Sequence, residues 1–278
     1  LDALEEADTS RRAAQIDKDG NVTLSSEIPA GKPAAEKSAE DGTGESQPLY
    51  MSLNHVMEYY IFAYYFQPAT EVRCTDIPYG EYYRTYGQLA LSMQKYNGAK
   101  KAYERAIAWN PVDLDAYLGL AEVYKYQNQR EKYLTVTKQA YRYCCTRATM
   151  ARYHRNMAFY YLSGYEPETA RACYQYSNVY YHTENADSEL KYISEAIQQE
   201  TPQTDIRAIQ KLFDEKQIEP GPDSQTIGIV YKVGEILLKD GDYKLAKDCY
   251  SIVYDITQDA AAEKMLNELE AAISGTEE

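Results

Sequence analysis

The residues of this chain that could do acid–base, nucleophilic or metal chemistry are few and scattered. The three histidines, His55, His154 and His182, lie far apart, so no HExxH spacing puts two imidazoles on one helix face to hold zinc. The five cysteines, Cys74, Cys144, Cys145, Cys173 and Cys249, are odd in number and include no CxxC pair, which argues against a zinc ribbon or a disulfide framework. On a helix, adjacent Cys144 and Cys145 would point about 100° apart and could not easily bridge, so the cysteines read as small buried packing residues. Asp17, Asp19 and Asn21 supply the oxygens of a calcium loop without its spacing. Counted from Asp17, such a loop needs glycine sixth and glutamate twelfth, whereas Gly20 stands fourth and Ile28 twelfth. There is no GxSxG elbow and no glycine-rich phosphate loop. The expectation is a protein that is not an enzyme, with no cofactor and no metal.

Composition sets where the elements can lie. The chain has 278 residues, and all 30 tyrosines fall from Tyr50 onward. Residues 1–48 contain no aromatic side chain and cannot bury enough apolar surface to offset the entropy of ordering, so they are expected to be a disordered tail. Within it, Asp19-Gly20 between Ile16 and Val22 reads as a hairpin or isolated turn, and 29–48, rich in Pro, Gly, Ala and Ser, as a flexible linker. The formal charge of −14 opposes nucleic acid and suits solubility or a basic partner. The apolar stretch 49–66 is slightly short for a membrane span and rich in tyrosine, so a packed N-terminal helix is expected there. No signal peptide is visible and the sequence starts at Leu1. A processed product is expected, membrane-tethered or extracytoplasmic in preference to cytoplasmic, with any membrane contact made through a segment absent from this sequence.

From residue 49 the chain reads as helical. Tyr96-Asn97-Gly98 marks a turn between helices at about 81–94 and 98–109, and Asn110-Pro111 stops the second, because proline disfavours helical geometry in the residue before it. Apolar stripes at three- and four-residue spacing recur in Tyr117, Leu120, Ala121 and Tyr124, then in Met157, Ala158 and Tyr161. Small and aromatic residues keep company across the hairpins: Gly87 and Ala99 with Tyr103, Ala158 and Ala170 with Tyr174, Gly234 and Ala246 with Tyr250. Small residues let the two helices approach closely while the aromatic fills the space between neighbouring units. The boundaries expected are repeats at about 80–113, 114–147 and 151–184, a degenerate pair at 185–218, a last repeat at 225–258 and a closing helix at 259–273.

At Tyr83, Tyr86, Gly87, Ala90, Ala99, Tyr103, Ala106 and Pro111 the chain resembles the tetratricopeptide repeat family. The resemblance implies an all-α fold, a right-handed superhelical solenoid of antiparallel helix pairs over residues 49–278. It also implies a protein-interaction scaffold that takes a peptide or protein along the first helices of the repeats. On this chain the groove residues it points to are Arg84, Gln88, Arg152, Arg155 and Phe159, where Arg can fork onto a carboxylate and Phe offers contact area. The two-carboxylate clamp of the family's chaperone-binding members is not reproduced, since Leu118 and Glu122 stand where it would need Lys and Asn.

Two further alternatives stay open. The partner function could instead be structural, a homo-oligomerising or envelope-tethered component without a peptide ligand. The tyrosines beyond those the repeats use, among them Tyr59, Tyr60, Tyr64, Tyr65, Tyr82, Tyr153 and Tyr160, could line a ligand site where the first helix meets the first repeat, or could serve as core in place of Leu and Phe.

Overall fold

The structure is a computed structural model that describes residues 14–18, 21–24 and 48–274. The chain divides into two compact units at Gln127. The calcium-like Asp19 and Gly20, and the linker up to residue 47, lie outside the described residues.

In the first unit, β1 (Ala14–Ile16) and β2 (Val22–Leu24) form an antiparallel hairpin in which Ala14 is paired with Leu24. Ala14 is fully buried, and β1 packs against α3, introduced below. The hairpin reading of this segment therefore holds, inside a stretch read as tail. The apolar run from Leu49 does not start a helix. Leu49–Met51 is a short strand, β3, paired in parallel with β4 (Val72–Cys74), and helix α1 spans Val56–Phe66. The two buried residues of β3, Leu49 and Met51, flank half-buried Tyr50, a period of two that a three-residue strand shows too briefly to be told from helix. The helix start is fixed by polar groups: His55 Nδ1 accepts from Met57 N at 3.3 Å, and Glu58 reaches back to the backbone N–H groups of Asn54 and His55.

Helices α2 (Tyr79–Ser92) and α3 (Tyr96–Trp109) make an antiparallel hairpin, and α4 (Leu114–Tyr126) packs against α3. The reversal lies at Gln94, in the left-handed region with φ 58°, so Asn97 and Gly98 belong to the first turn of α3 and are not the turn expected from their types. The hairpin core holds Tyr83, Ala90, Ala99, Tyr103, Ala106 and Trp109. Trp109 stacks on Tyr79 at 4.6 Å, and its carbonyl accepts from Ser52 N, which docks the end of β3 on the hairpin's base.

The second unit comprises α5 (Arg130–Tyr141), α6 (Arg147–Ser163), α7 (Pro167–Tyr180), α8 (Glu184–Ile197), α9 (Ile206–Lys216), α10 (Ser224–Lys239), α11 (Tyr243–Thr257) and α12 (Ala260–Ser274). The α6–α7 and α10–α11 hairpins are its tight pairs; α5 packs on α6, α8 on α7 and α12 on α11. α9 packs on α7. Its Ile209 and Phe213 are its buried residues, and the Phe213 ring lies 5.4 Å from His154 and 5.0 Å from Tyr176. Phe213 and Ile209 bring the helix back over α7 once Pro202 has broken the chain, which is why residues 185–218 carry no small-residue signature: α9 closes on an aromatic cluster. The α10–α11 hairpin is tied to the α5–α6 connection, with Thr226 Oγ1 donating to Arg142 O at 2.6 Å and Arg147 N to Asp255 at 3.3 Å. Among the described residues the chain is predominantly helical, in antiparallel pairs, and no helix is long and apolar enough to cross a membrane.

Candidate functional site

Arg84 lies on α2, but it does not stand ready for a ligand. Its Nη1 donates to Asp113 Oδ2 at 2.7 Å, with the carboxylate only 2% exposed. Asp113 caps α4 through Ala116 N at 3.1 Å and also accepts from Asn54 Nδ2 at 3.2 Å. Glu58 sits beside it, accepting from Asn54 N at 2.7 Å and Asn110 Nδ2 at 2.7 Å. Burial pushes both carboxyls above their usual range: for Glu58 the neighbouring charge of Asp113 adds to this, while for Asp113 the Arg84 guanidinium opposes it. Arg84 is thus part of a buried network that joins the start of α1, the end of α3 and the start of α4. Gln88, one turn on, is exposed.

In the second unit, Arg152, Arg155 and Phe159 follow one another on one side of α6, each half-buried. Phe159 meets Tyr133 of α5 edge to face at 5.3 Å. Arg155 differs from Arg84 in kind. Its Nη1 is shielded from solvent without a hydrogen-bond partner, and burial, then the like charge of Arg152, push its pKa below the ordinary arginine value. The hydroxyl of Tyr174 on α7 acts in the opposite sense. The nearby carboxylate, Glu189 of α8, acts on Tyr174. The structure therefore brings Arg152, Arg155 and Phe159 to one face and puts Arg84 to structural use.

Tyr174 adjoins Arg155, a relation that sequence spacing did not reveal, because a buried aromatic at that place reads as core. The excess tyrosines divide. Tyr153 is buried, Tyr60, Tyr65 and Tyr160 are half-buried, and Tyr59, Tyr64 and Tyr82 are exposed. Of the cysteines, Cys144, Cys173 and Cys249 are buried and Cys145 half-buried, whereas Cys74 on β4 is exposed; burial pushes the Cys249 thiol up to about 12.

Residues 80–113, the α2–α3 hairpin with its connection to α4, match the family model of the tetratricopeptide repeat. No curated protein sequence matches this chain. Among solved structures, one described as the functional characterisation of Pseudomonas aeruginosa pilF is similar at 16% identity and a TM-score of 0.38, covering 72% of this chain and 86% of that one. YrrB, described as a TPR protein with an unusual peptide-binding site, is similar at 15% identity and a TM-score of 0.36, covering 70% of this chain and 92% of that one. A chain of the APC/C hetero-tetramer Cut9–Hcn1 is similar at 13% identity and a TM-score of 0.39, over 71% of this chain and 38% of that one. Helical hairpins of this kind serve generally as protein-interaction scaffolds. Residues 80–113 are thus similar to a tetratricopeptide repeat, and the match spans the small and aromatic residues, Gly87, Ala99 and Tyr103, that the spacing marks out.

Proposed function

We propose that this chain is a protein-interaction scaffold whose α6 face, formed by Arg152, Arg155 and Phe159, receives a carboxylate-bearing segment of a partner protein. The observation that carries this reading is Arg155: a half-buried guanidinium with a shielded, unpartnered Nη1, on which the like charge of Arg152 acts. An incoming carboxylate would pair with the accessible part of this guanidinium and relieve the repulsion from Arg152, and Phe159 would give the segment an apolar contact. The test is an array of short acidic peptides and their amide counterparts probed with the full chain and with Arg155→Ala. Preference for the acidic set, lost in the variant, supports the assignment; equal capture by both proteins rejects it. Arg84→Ala is the matching control, expected to leave capture unchanged in whatever fraction stays folded.

A second reading, self-association, draws on α2. Tyr82 and Leu89 of that helix and Met93 at its C-terminal cap, at 47%, 58% and 53% exposure, recur along one stripe, and no charged residue falls between Thr85 and Gln94. Light scattering on Leu89→Lys tests it: a concentration-dependent mass in the native protein that the variant abolishes supports this reading, and a monomer at every concentration removes it.

A further inference from the structure

On the side of α6 away from Arg155, the second unit holds an open cavity of about 680 Å³. Tyr153, which lines it, is two residues from Arg155 and so lies about 200° round the helix from it. The cavity is bounded by the last turn of α5, by α6, by the end of α9 and by residues 217–223. Its aromatic wall is Tyr141, Tyr153 and Phe213, with the rings of Tyr141 and Tyr153 5.1 Å apart and tilted by 44°.

Three carboxylates, Asp214, Glu219 and Asp223, share the lining with two cations, Lys138 and Arg142. Asp214 and Glu219 have no cationic partner among the described residues. At the Tyr141 hydroxyl the leading charges are those of Glu219 and then Asp223, which join burial in holding its proton on. The potential over the aromatic wall is therefore negative, and a tyrosine face adds its own attraction for cations.

The acidic wall is also fixed in place before any ligand arrives. Glu219-Pro220-Gly221-Pro222-Asp223 contains two prolines; Ile218 N donates to Phe213 O at 2.9 Å, and the Tyr180 hydroxyl donates to Pro220 O at 2.8 Å. Little ordering would be needed on binding. The same unit already holds an arginine in this manner. Arg130 lies 3.8 Å over the ring of Tyr160 and donates Nε to the Tyr160 carbonyl at 3.3 Å.

We infer that this cavity binds the guanidinium of an arginine side chain presented by a partner protein, stacked on the half-buried ring of Tyr141 and paired with Glu219 and Asp214. A planar cation matches both the ring and a carboxylate's two oxygens, which the compact ammonium of lysine does less well. The inference does not depend on the α6 face opposite, and either can fail alone.

The experiment is a titration of the full-length chain with acetyl-Gly-Arg-Gly-amide, followed by amide chemical shifts, beside the same peptide carrying citrulline, which is nearly isosteric and uncharged, or glutamate. The expected result is saturable shifts at residues 138–142, 153 and 217–223, weakened about tenfold or more by citrulline and absent with glutamate. Raised salt should weaken the arginine peptide. Glu219→Gln with Asp214→Asn, both exposed, should weaken it about tenfold while thermal unfolding stays unchanged. Citrulline binding as well as arginine, glutamate binding as tightly, shifts mapping elsewhere, or undiminished affinity in the double variant would each overturn the assignment.

Discussion

Gly119 of α4 faces the ring of Tyr103 so closely that a β carbon there would stand 2.3 Å from Cε1 and Cζ. A β carbon at Gly87 of α2 would meet the same two ring atoms at 3.0 Å. Tyr103 is thus held against two glycines, and its ring joins the hairpin to the helix that follows. Gly119→Ala must displace a buried ring, at about 1–3 kcal/mol, which exceeds the ~1 kcal/mol that alanine gains over glycine in a helix. Gly87→Ala needs only a few tenths of an ångström, so the two effects nearly cancel. Urea unfolding of the two variants should therefore rank Gly119→Ala clearly below Gly87→Ala, and equal midpoints would refute the packing argument.

Arg84 and Asp113 make a different prediction. Removing the arginine leaves a carboxylate that is 2% exposed without its ion pair, a loss of about 3–5 kcal/mol where a buried pair is broken and less here, because Arg84 keeps some contact with water. Burial holds the folded pKa of Asp113 above its ordinary value, so its contribution to stability is complete below that ordinary value and is lost as the pH rises through the folded one. The penalty of Arg84→Ala should accordingly shrink as the pH falls toward the carboxylate range. Unfolding midpoints of native and variant at several pH values would show it; a gap that widens in acid contradicts the network described.

How much of this was legible in the sequence depends on the kind of force involved. The α2–α3 hairpin could be read because its signals are local and of one kind: small residues where helices touch, an aromatic between them, a proline after the end. The Gly234–Tyr250 pair repeats the same contact in α10 and α11, with a β carbon at Gly234 meeting the Tyr250 ring at 3.1 Å. The role of Arg84 was hidden, since an arginine that pairs with a helix cap 29 residues away has no mark in its own surroundings. The return of α9 onto α6 and α7 rests on Phe213 meeting His154 and Tyr176, contacts between distant helices that no repeat pattern encodes. Helix ends were blurred for a third reason. Gln67, Gln94, Gln198, Gln217 and Gln258 all take left-handed backbone at or just beyond helix ends where glycine is the usual signal.

That substitution of glutamine for glycine is itself testable. A non-glycine residue in the left-handed region carries a cost of about 1–2 kcal/mol that glycine avoids, partly offset by glycine's greater freedom in the unfolded chain. Gln94→Gly, at φ 58° in the exposed α2–α3 turn, should raise the unfolding midpoint modestly, while Gln88→Gly in the body of α2 should lower the midpoint through a stability loss of about 1 kcal/mol. Opposite signs at the two sites are the diagnostic, measured by denaturant titration.

His154 supplies the acid sensitivity of the second unit. The imidazole is fully buried, stacked at 13° on Tyr180 and at 16° on Phe213, and burial lowers its pKa from 6.5 to about 3 against the opposing influence of the Pro220 carbonyl. A folded pKa below the unfolded one means that stability is complete above 6.5 and falls as the pH drops from there toward about 3. Each unit of pH in that window costs about 1.4 kcal/mol in the limit where His154 acts alone. The cost should fall on the contacts the ring makes, which join α6 and α7 to α9. Hydrogen exchange at residues 206–218 should therefore quicken between pH 6.5 and 4, after correction for the intrinsic rate, before the α2–α3 hairpin loosens. His154→Phe keeps an aromatic ring in the stack and removes the proton, so it should flatten this dependence; an unchanged acid response in that variant would place the sensitive group elsewhere.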